Sequence, residues 1–369
     1  MQATPLPERR SLGLGRSDSP SLSRKIGAVS KHLDGVIVGK EWLKSLRAAS
    51  RGVPLATEVF GFECRLRDGD DRIDLGIAIS RGSLRERSAG ERSRLERAAL
   101  LDVRWRQIRD FLELWAHTGT ILATWVPFCF LEYDLPVKGS AVAVPSVFVA
   151  LDSPLGPRGC NARTRTAPAL YAARRALALL LGHPLSRELD ASLARCLEKL
   201  PDGGYPLHVG AMLGRSARKV RLSVMTPLPH ATSYLQSVGV GTSIALESAT
   251  DRIHPLVGTV QLDFDLRPES CSRVGIGLRP QRTDLDQWQA ALAAVGRIGS
   301  CSPRKIRALM RWPSTEPSRP NSSTRIPRFD RFLSHLKVGI APRKPTEVKA
   351  YLGVRDLNAA SLASVSTDD

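Results

Sequence analysis

Lys219-Val220-Arg221-Leu222-Ser223-Val224-Met225 alternates with a period of two: Val220, Leu222 and Val224 fall on one side, Lys219, Arg221 and Ser223 on the other. That is the pattern of a half-buried β-strand. A second short apolar run, Leu207 to Leu213, comes just before it, and Gly214-Arg215-Ser216-Ala217-Arg218 between the two is turn-like, so the pair reads as a β-hairpin. Its polar side carries two cations two residues apart. A solvated sheet face would explain them, and so would a polar interior; the choice depends on whether the rest of the chain repeats the unit.

The unit recurs. Phe60 to Leu66 and Arg72 to Ser80 flank the turn cluster Arg67-Asp68-Gly69-Asp70-Asp71. Thr124 to Asp134 and Ser146 to Asp152 flank a Gly/Pro/Lys connection, and Val260 to Leu266 and Arg273 to Leu278 flank Arg267 to Ser272. Leu336 to Ile340 and Glu347 to Leu352 flank Ala341-Pro342-Arg343-Lys344-Pro345. Helical patterns separate these hairpins. Lys25 to Ala49 is broken near Asp34-Gly35, and Ser83 to Trp115 is the longest, with Leu95, Ala98, Ala99, Val103, Ile108, Phe111, Leu112 and Trp115 at helical spacing. Ala167 to Leu181 and a helix from Ser186 to Leu200 follow, then short helices around Tyr234 and Ile244, then Asp284 to Val295. Ser302-Pro303 reads as an N-cap and first-turn proline opening the last helix.

Helix and hairpin therefore alternate five times. Sequentially linked antiparallel hairpins form an open sheet or close into a barrel, and closure removes exposed edges. Helices between the hairpins must cover the apolar strand faces, which leaves the polar faces to line a lumen. The expected fold class is α+β, a ten-stranded antiparallel β-barrel of five hairpins surrounded by α-helices. One domain would run from 25 to 356, with a disordered basic tail at 1–24, a Pro/Ser-rich insertion at 312–328 and a tail at 357–369. The lumen would receive Glu63, Arg65, Arg67, Arg72 and Asp74 from the first hairpin, and Lys219, Arg221 and Ser223 from the third. It would also take Gln261, Asp263, Asp265 and Arg273 from the fourth, and Lys337, Glu347, Lys349 and Tyr351 from the fifth.

The net charge of +18 invites a nucleic-acid reading. Its distribution weakens that reading: residues 1–52 carry ten Lys and Arg against four acids, and 302–349 carry twelve against three. Most of the excess thus sits in two blocks that read largely as tails and loops, and a basic surface specifies no partner. The longest apolar run, Ala176 to Gly182, is too short to span a bilayer. No secretory signal is visible at the Pro/Ser/Arg-rich N-terminus. The six cysteines are scattered without a CxxC pair, which fits neither a disulfide framework nor a metal cluster and suits a reducing cytoplasm.

Five helix–hairpin units around a polar, cation-rich lumen resemble the aromatic prenyltransferase barrel, the family that contains indole prenyltransferases and the prenyltransferases of ribosomal cyclic peptides. The resemblance extends over roughly Lys25 to Asp356 and rests on organisation. In that family, alternating Arg/Lys-x-Lys-x-Tyr strands hold an allylic diphosphate, tyrosines shield the allyl cation and a first-strand carboxylate assists the nucleophile. Lys219-Val220-Arg221-Leu222-Ser223 resembles one such strand, with Ser in the tyrosine place, and Lys349-Ala350-Tyr351 resembles another. The resemblance implies diphosphate binding by Arg72, Lys219, Arg221 and Lys349, cation shielding by Tyr351 and Glu63 as the catalytic carboxylate. It implies no metal and no cofactor. The activity implied is metal-independent transfer of an isoprenyl group from an allylic diphosphate to an aromatic or peptide acceptor.

The second hairpin departs from the family pattern, offering Ser146-Val147-Phe148 where Lys-x-Tyr would stand, and the whole chain holds five tyrosines. The alternative is a non-catalytic basic binding protein of the same fold, holding a peptide, RNA or an anionic metabolite. Asp70-Asp71-Arg72-Ile73-Asp74 matches the DDxxD motif of helical prenyl synthases, but Gly69 before it and the alternating Ile73-Leu75-Ile77-Ile79 after it make it turn and strand. His208 has no Ser or Cys at elbow spacing and reads as structural. Gly275-Ile276-Gly277 is a GxG within a strand, a sign of close packing.

Overall fold

In the computed structural model the described residues are 21–135, 143–151, 162–215, 219–241, 243–266, 273–315, 329–341 and 344–357. Residues up to 20, most of the loop 153–166, the turn 267–272, residues 316–328 of the insertion, the centre of the last turn and the tail from 358 lie outside them, as do Cys160 and Cys271.

The five hairpins form as the alternation predicts. They are β1 (Val59–Arg65) with β2 (Ile73–Ser80), β3 (Phe128–Tyr133) with β4 (Ser146–Ala150), and β5 (Tyr205–Ala211) with β6 (Val220–Pro227). β7 (Thr259–Leu266) pairs with β8 (Val274–Leu278) and β10 (Phe329–Ile340) with β11 (Glu347–Asp356), while β9 (Ser314–Thr315) is a two-residue addition alongside β10. Every neighbouring pair is antiparallel, and β11 pairs with both β10 and β1, so the ten long strands close into a barrel. The strand ends that the hairpin turns join all lie at one end of the barrel. All helical connections start and finish at the other.

Twelve helices are described. α1 (Leu22–Ser30) and α2 (Lys40–Gly52) precede β1; α3 (Arg81–Arg85), α4 (Ala89–Leu101), α5 (Val103–Ala116) and α6 (Ile121–Trp125) connect β2 to β3; and α7 (Ala162–Leu181) and α8 (Arg187–Glu198) connect β4 to β5. α9 (Ala231–Ser237) and α10 (Ile244–Ile253) lead into β7, and α11 (Leu285–Ile298) and α12 (Pro303–Leu309) follow β8. The long helical pattern from 83 to 115 is cut at Asp102, whose side chain caps α5 by accepting from the Arg104 N–H at 2.8 Å. Ser88 and Glu91 form a capping box at α4. Ser302 caps α12 with Pro303 in its first turn, as expected. Thr124, expected to begin a strand, belongs to α6 instead, because Thr120 caps a helical turn there.

The strand faces explain the closure. In β1 Phe60, Phe62 and Cys64 are buried, whereas Val59, Gly61 and Glu63 are only half-buried; β3 shows the same alternation, with Cys129, Leu131 and Tyr133 buried. The buried set joins helix residues such as Ile26, Trp105, Leu177 and Trp288 in one apolar layer outside the barrel. Each such aliphatic or aromatic side chain contributes about 1.5–3 kcal/mol. Trp312, expected at the start of the insertion, is part of this layer and donates its indole N–H to the Phe332 carbonyl at 3.1 Å.

Two buried lysines tie the periphery to the barrel. Lys25 in α1 lies 2.8 Å from the Asp356 carboxylate and donates to the Thr57 carbonyl at 2.9 Å, joining the first helix to the last strand. Lys305 in α12 donates to the carbonyls of Arg65 and Asp70, which fixes the first hairpin turn. Gly69 in that turn has φ +73°, a left-handed conformation that glycine adopts without strain. The Asp70-Asp71 pair therefore sits in a turn and not on one helical face.

Candidate active site in the barrel lumen

The lumen is lined by the strand faces opposite the apolar layer, and its hairpin-end half is charged. On β1 and β11, Glu63 accepts from Lys349 Nζ at 2.7 Å and from the Tyr351 hydroxyl, and Arg65 lies 3.2 Å away. Arg65 also reaches Asp74 at 2.6 Å and Glu347 at 3.7 Å. Burial alone would raise the Glu63 carboxyl; the charges of Lys349 and Arg65, with the hydrogen bonds from Lys349 and Tyr351, outweigh it and hold Glu63 far below the usual range. Glu63 is thus an anion with both oxygens engaged. The Tyr351 ring stacks on His335 at 3.8 Å between centroids and 13° between planes.

Nearly opposite, on β6 and β7, Asp265 takes both cations of the opening hairpin. Arg221 is 2.8 Å from it and Lys219 3.9 Å. Next along the wall, Asp263 pairs with Lys337 at 2.6 Å and accepts from the Ser223 hydroxyl and from Gln261. Lys337 belongs to β10 and Asp263 to β7, with β8 between them. The ammonium crosses that strand over Gly275, where a Cβ would stand 2.5 Å from Lys337 Cε. Arg273 crosses β10 to Glu347 in the same way over Gly339, where a Cβ would stand 2.8 Å from the guanidinium. The glycines in these two strands are what let cations pair across one strand instead of beside it.

The helix-end half is aromatic. Phe128 and Phe130 are 5.1 Å apart, and His208 meets Phe130 at 5.3 Å and Phe128 at 6.1 Å. Burial, with the nearby Arg279 charge, pushes the His208 imidazole down to about 3, so it is neutral at physiological pH, and its Nε2 has no hydrogen-bond partner among the described residues. Arg279, just after β8, is surrounded by protein yet keeps much of its surface accessible, which places it in open lumen. It donates to the Gln261 side-chain oxygen at 2.8 Å and forms no ion pair among the described residues. Arg282 is different: it lies 3.9 Å over the Phe332 ring and is paired with Asp330.

The residues singled out in the sequence divide into three places. Lys219 and Arg221 are together on one wall. Glu63, Lys349 and Tyr351 are together on another, so Lys349 shares its anion with Arg65 and not with Arg221. Arg72 joins neither group: it precedes β2 at the rim, half-exposed, with its guanidinium taken by Asp70 at 2.5 Å. Glu132, Arg279 and the phenylalanine cluster were not singled out. Parity would have found Glu132, which stands between outward-facing Leu131 and Tyr133. The family pattern points to tyrosine and so carries no signal for the phenylalanines.

No protein-family profile and no curated protein matches the chain. Solved structures do. The apo form of the prenyltransferase PriB matches with a TM-score of 0.53 at 15% identity, over 90% of this chain and 96% of that one. PriB in ternary complex with L-tryptophan and dimethylallyl thiolodiphosphate matches at 0.51 and 16%, over 90% and 96%. A 6-dimethylallyl tryptophan synthase matches at 0.51 and 14%, with the same coverage. The chain therefore has the closed ten-stranded fold of the aromatic prenyltransferase barrels. Among the described residues, no group of three His, Cys, Asp or Glu could hold a metal ion, and no helix is long and apolar enough to cross a membrane. The four described cysteines form no disulfide among the described residues.

Proposed function

We propose that this barrel transfers an isoprenyl group from an allylic diphosphate to an aromatic acceptor without a metal ion. The observation that carries the reading is the division of the lumen into a charged hairpin end that holds its Lys and Arg side chains and an aromatic helix end. Ionisation of an allylic diphosphate places negative charge on the leaving group and positive charge on the allyl fragment. Lys219 and Arg221, with Lys349 across the lumen, would hold the diphosphate; Arg72 could join only from the rim. Tyr351 offers one ring face to the allyl cation, since His335 covers the other, and Phe128 and Phe130 offer the same quadrupole attraction that tyrosine would. Glu63 would supply a fixed negative charge beside the cation.

The acceptor end has its own cation. Arg279 next to the Phe128, Phe130 and His208 cluster suits a flat aromatic body bearing an anionic group, and PriB is known in complex with L-tryptophan. Arg279→Gln is expected to raise the KM of an indole carboxylate roughly tenfold while leaving a neutral indole nearly unaffected, because one charge-assisted hydrogen bond contributes about 1.5–3 kcal/mol. Steady-state assays with the two acceptors check it. Equal effects on both would remove Arg279 from acceptor recognition.

One observation favours the binding-protein alternative: most lumenal cations are already matched by carboxylates, so a diphosphate must displace Asp265 or Glu63 to reach them. Incubation with a series of allylic diphosphates and aromatic acceptors, with and without EDTA, separates the readings. Pyrophosphate release and a prenylated product, both insensitive to EDTA, are expected. Binding without release would leave a non-catalytic barrel, and no binding would retire the proposal.

A further inference from the structure

Glu132 projects from β3 into the lumen and, alone among the lumenal carboxylates of the described residues, has no hydrogen bond or ion pair there. Its surroundings are open. In register it stands beside Gly76 on β2, where a Cβ would meet nothing within 4 Å, and beside Ser146 on β4, whose buried hydroxyl also lacks a partner among the described residues. Glu132 thus borders free volume over Gly76, with a second unpartnered polar group, itself buried, on the next strand, and it lies two strands from Glu63. Unpaired buried polar groups cost free energy, and in a lumen they mark a place for a ligand.

Taking the prenyl-transfer reading as its premise, we propose that Glu132 takes the proton released by the aromatic acceptor, while Glu63 stays ionised as a fixed charge. In this step the allylic C–O bond breaks with its electron pair going to the diphosphate. The acceptor ring supplies two π electrons for the new bond to carbon, and the ring C–H then breaks, returning its pair to the ring and its proton to the Glu132 carboxylate. The proton leaves Glu132 for water in the lumen.

Glu63 is poorly suited to that transfer because both its oxygens are occupied and Lys349 and Arg65 hold it far below the usual range. Burial pushes Glu132 up to about 7, with the Glu63 charge on β1 adding to the effect. Lys337 on β10, Arg221 on β6 and Arg215 in the β5–β6 turn act against it. Two lumenal carboxylates pushed apart in this way divide fixed charge from proton transfer, and a base that titrates near the working pH is the effective one.

The test compares wild type, Glu132→Gln and Glu132→Asp with the best acceptor found, following kcat, KM, the pH profile and the isotope effect of an acceptor deuterated at the reacting carbon. Glu132→Gln is expected to lower kcat roughly a hundredfold or more and to abolish a rising limb near pH 7. Proton loss should become rate-limiting, so an isotope effect appears, while binding of a thiolodiphosphate analogue changes less than about twofold; Glu132→Asp recovers part of the rate. If Glu132→Gln keeps kcat and the pH limb while wild type turns over, the assignment to Glu132 is wrong and the transferase reading stands. Absence of turnover in wild type with every substrate pair overturns both.

Discussion

Glu63→Gln is expected to lower the free energy of unfolding by roughly 3 kcal/mol at neutral pH, before any effect on catalysis is considered. Removing one member of a buried ion pair typically costs about 3–5 kcal/mol, because the partner charge is left without compensation. The lower end applies here. The Glu63 side chain is 15% exposed, and Arg65 keeps Asp74 at 2.6 Å when Glu63 is neutralised. Lys349 keeps only Glu347, at 3.6 Å. The pH dependence carries the sign. Glu63 has a folded-state pKa below its unfolded value, so its contribution is present above the ordinary glutamate range and is lost as pH falls through and below it. Urea denaturation of wild type and Glu63→Gln should therefore differ most above about pH 5, and the difference should shrink progressively as pH falls below the ordinary glutamate range toward the depressed folded-state value. A constant difference across that range would mean that Glu63 matters through packing and not through its charge.

The same network marks how far the sequence could be read. Alternation in Lys219 to Met225 and its four counterparts was enough to obtain hairpins, closure and an inward polar face, because a closed sheet with helices outside has only one place for its charged side. The apolar faces were equally legible: Phe60, Phe62, Leu75 and Ile77 all lie under the helices. Pairing across an intervening strand was not. That Lys337 reaches Asp263 and Arg273 reaches Glu347 depends on glycines in the strand between, and alternation along one strand carries no information about which strand a long side chain crosses. Arg72 shows the limit of parity at a strand end. The count placed it inward, but the strand starts one residue later and Asp70, two residues away, captures the guanidinium. Alternation predicts only the part of β10 from Leu336 to Ile340, because the bulge at Ser334 shifts the pattern between Leu333 and His335. Tyr351 was placed on the lumenal face, yet nothing in the sequence indicates that its hydroxyl would be spent on Glu63.

The lumen's charge balance leads to the second large effect. Asp265 is shared by Arg221 at 2.8 Å and Lys219 at 3.9 Å, so this wall holds one cation more than it neutralises and keeps both positioned before any ligand arrives. A diphosphate entering here competes with Asp265 for donors. Arg221→Ala is then expected to weaken binding of an allylic thiolodiphosphate by roughly ten- to a hundredfold, since a hydrogen bond to a charged group contributes about 1.5–3 kcal/mol and the exposed Asp265 charge would add repulsion. Asp265→Asn should act in the opposite direction. It releases Arg221 and Lys219 from their resident anion and removes a negative charge from the approach, so the analogue should bind severalfold more tightly, most visibly at low ionic strength. A purely structural Arg221–Asp265 pair would behave otherwise: both substitutions would lower stability, and neither would alter anion affinity in opposed directions. Titration calorimetry of the two variants beside wild type, at two salt concentrations, decides the matter. Matching losses of affinity would place the diphosphate elsewhere in the lumen, whereas opposite signs would fix it on the wall where the Lys219 to Met225 strand runs.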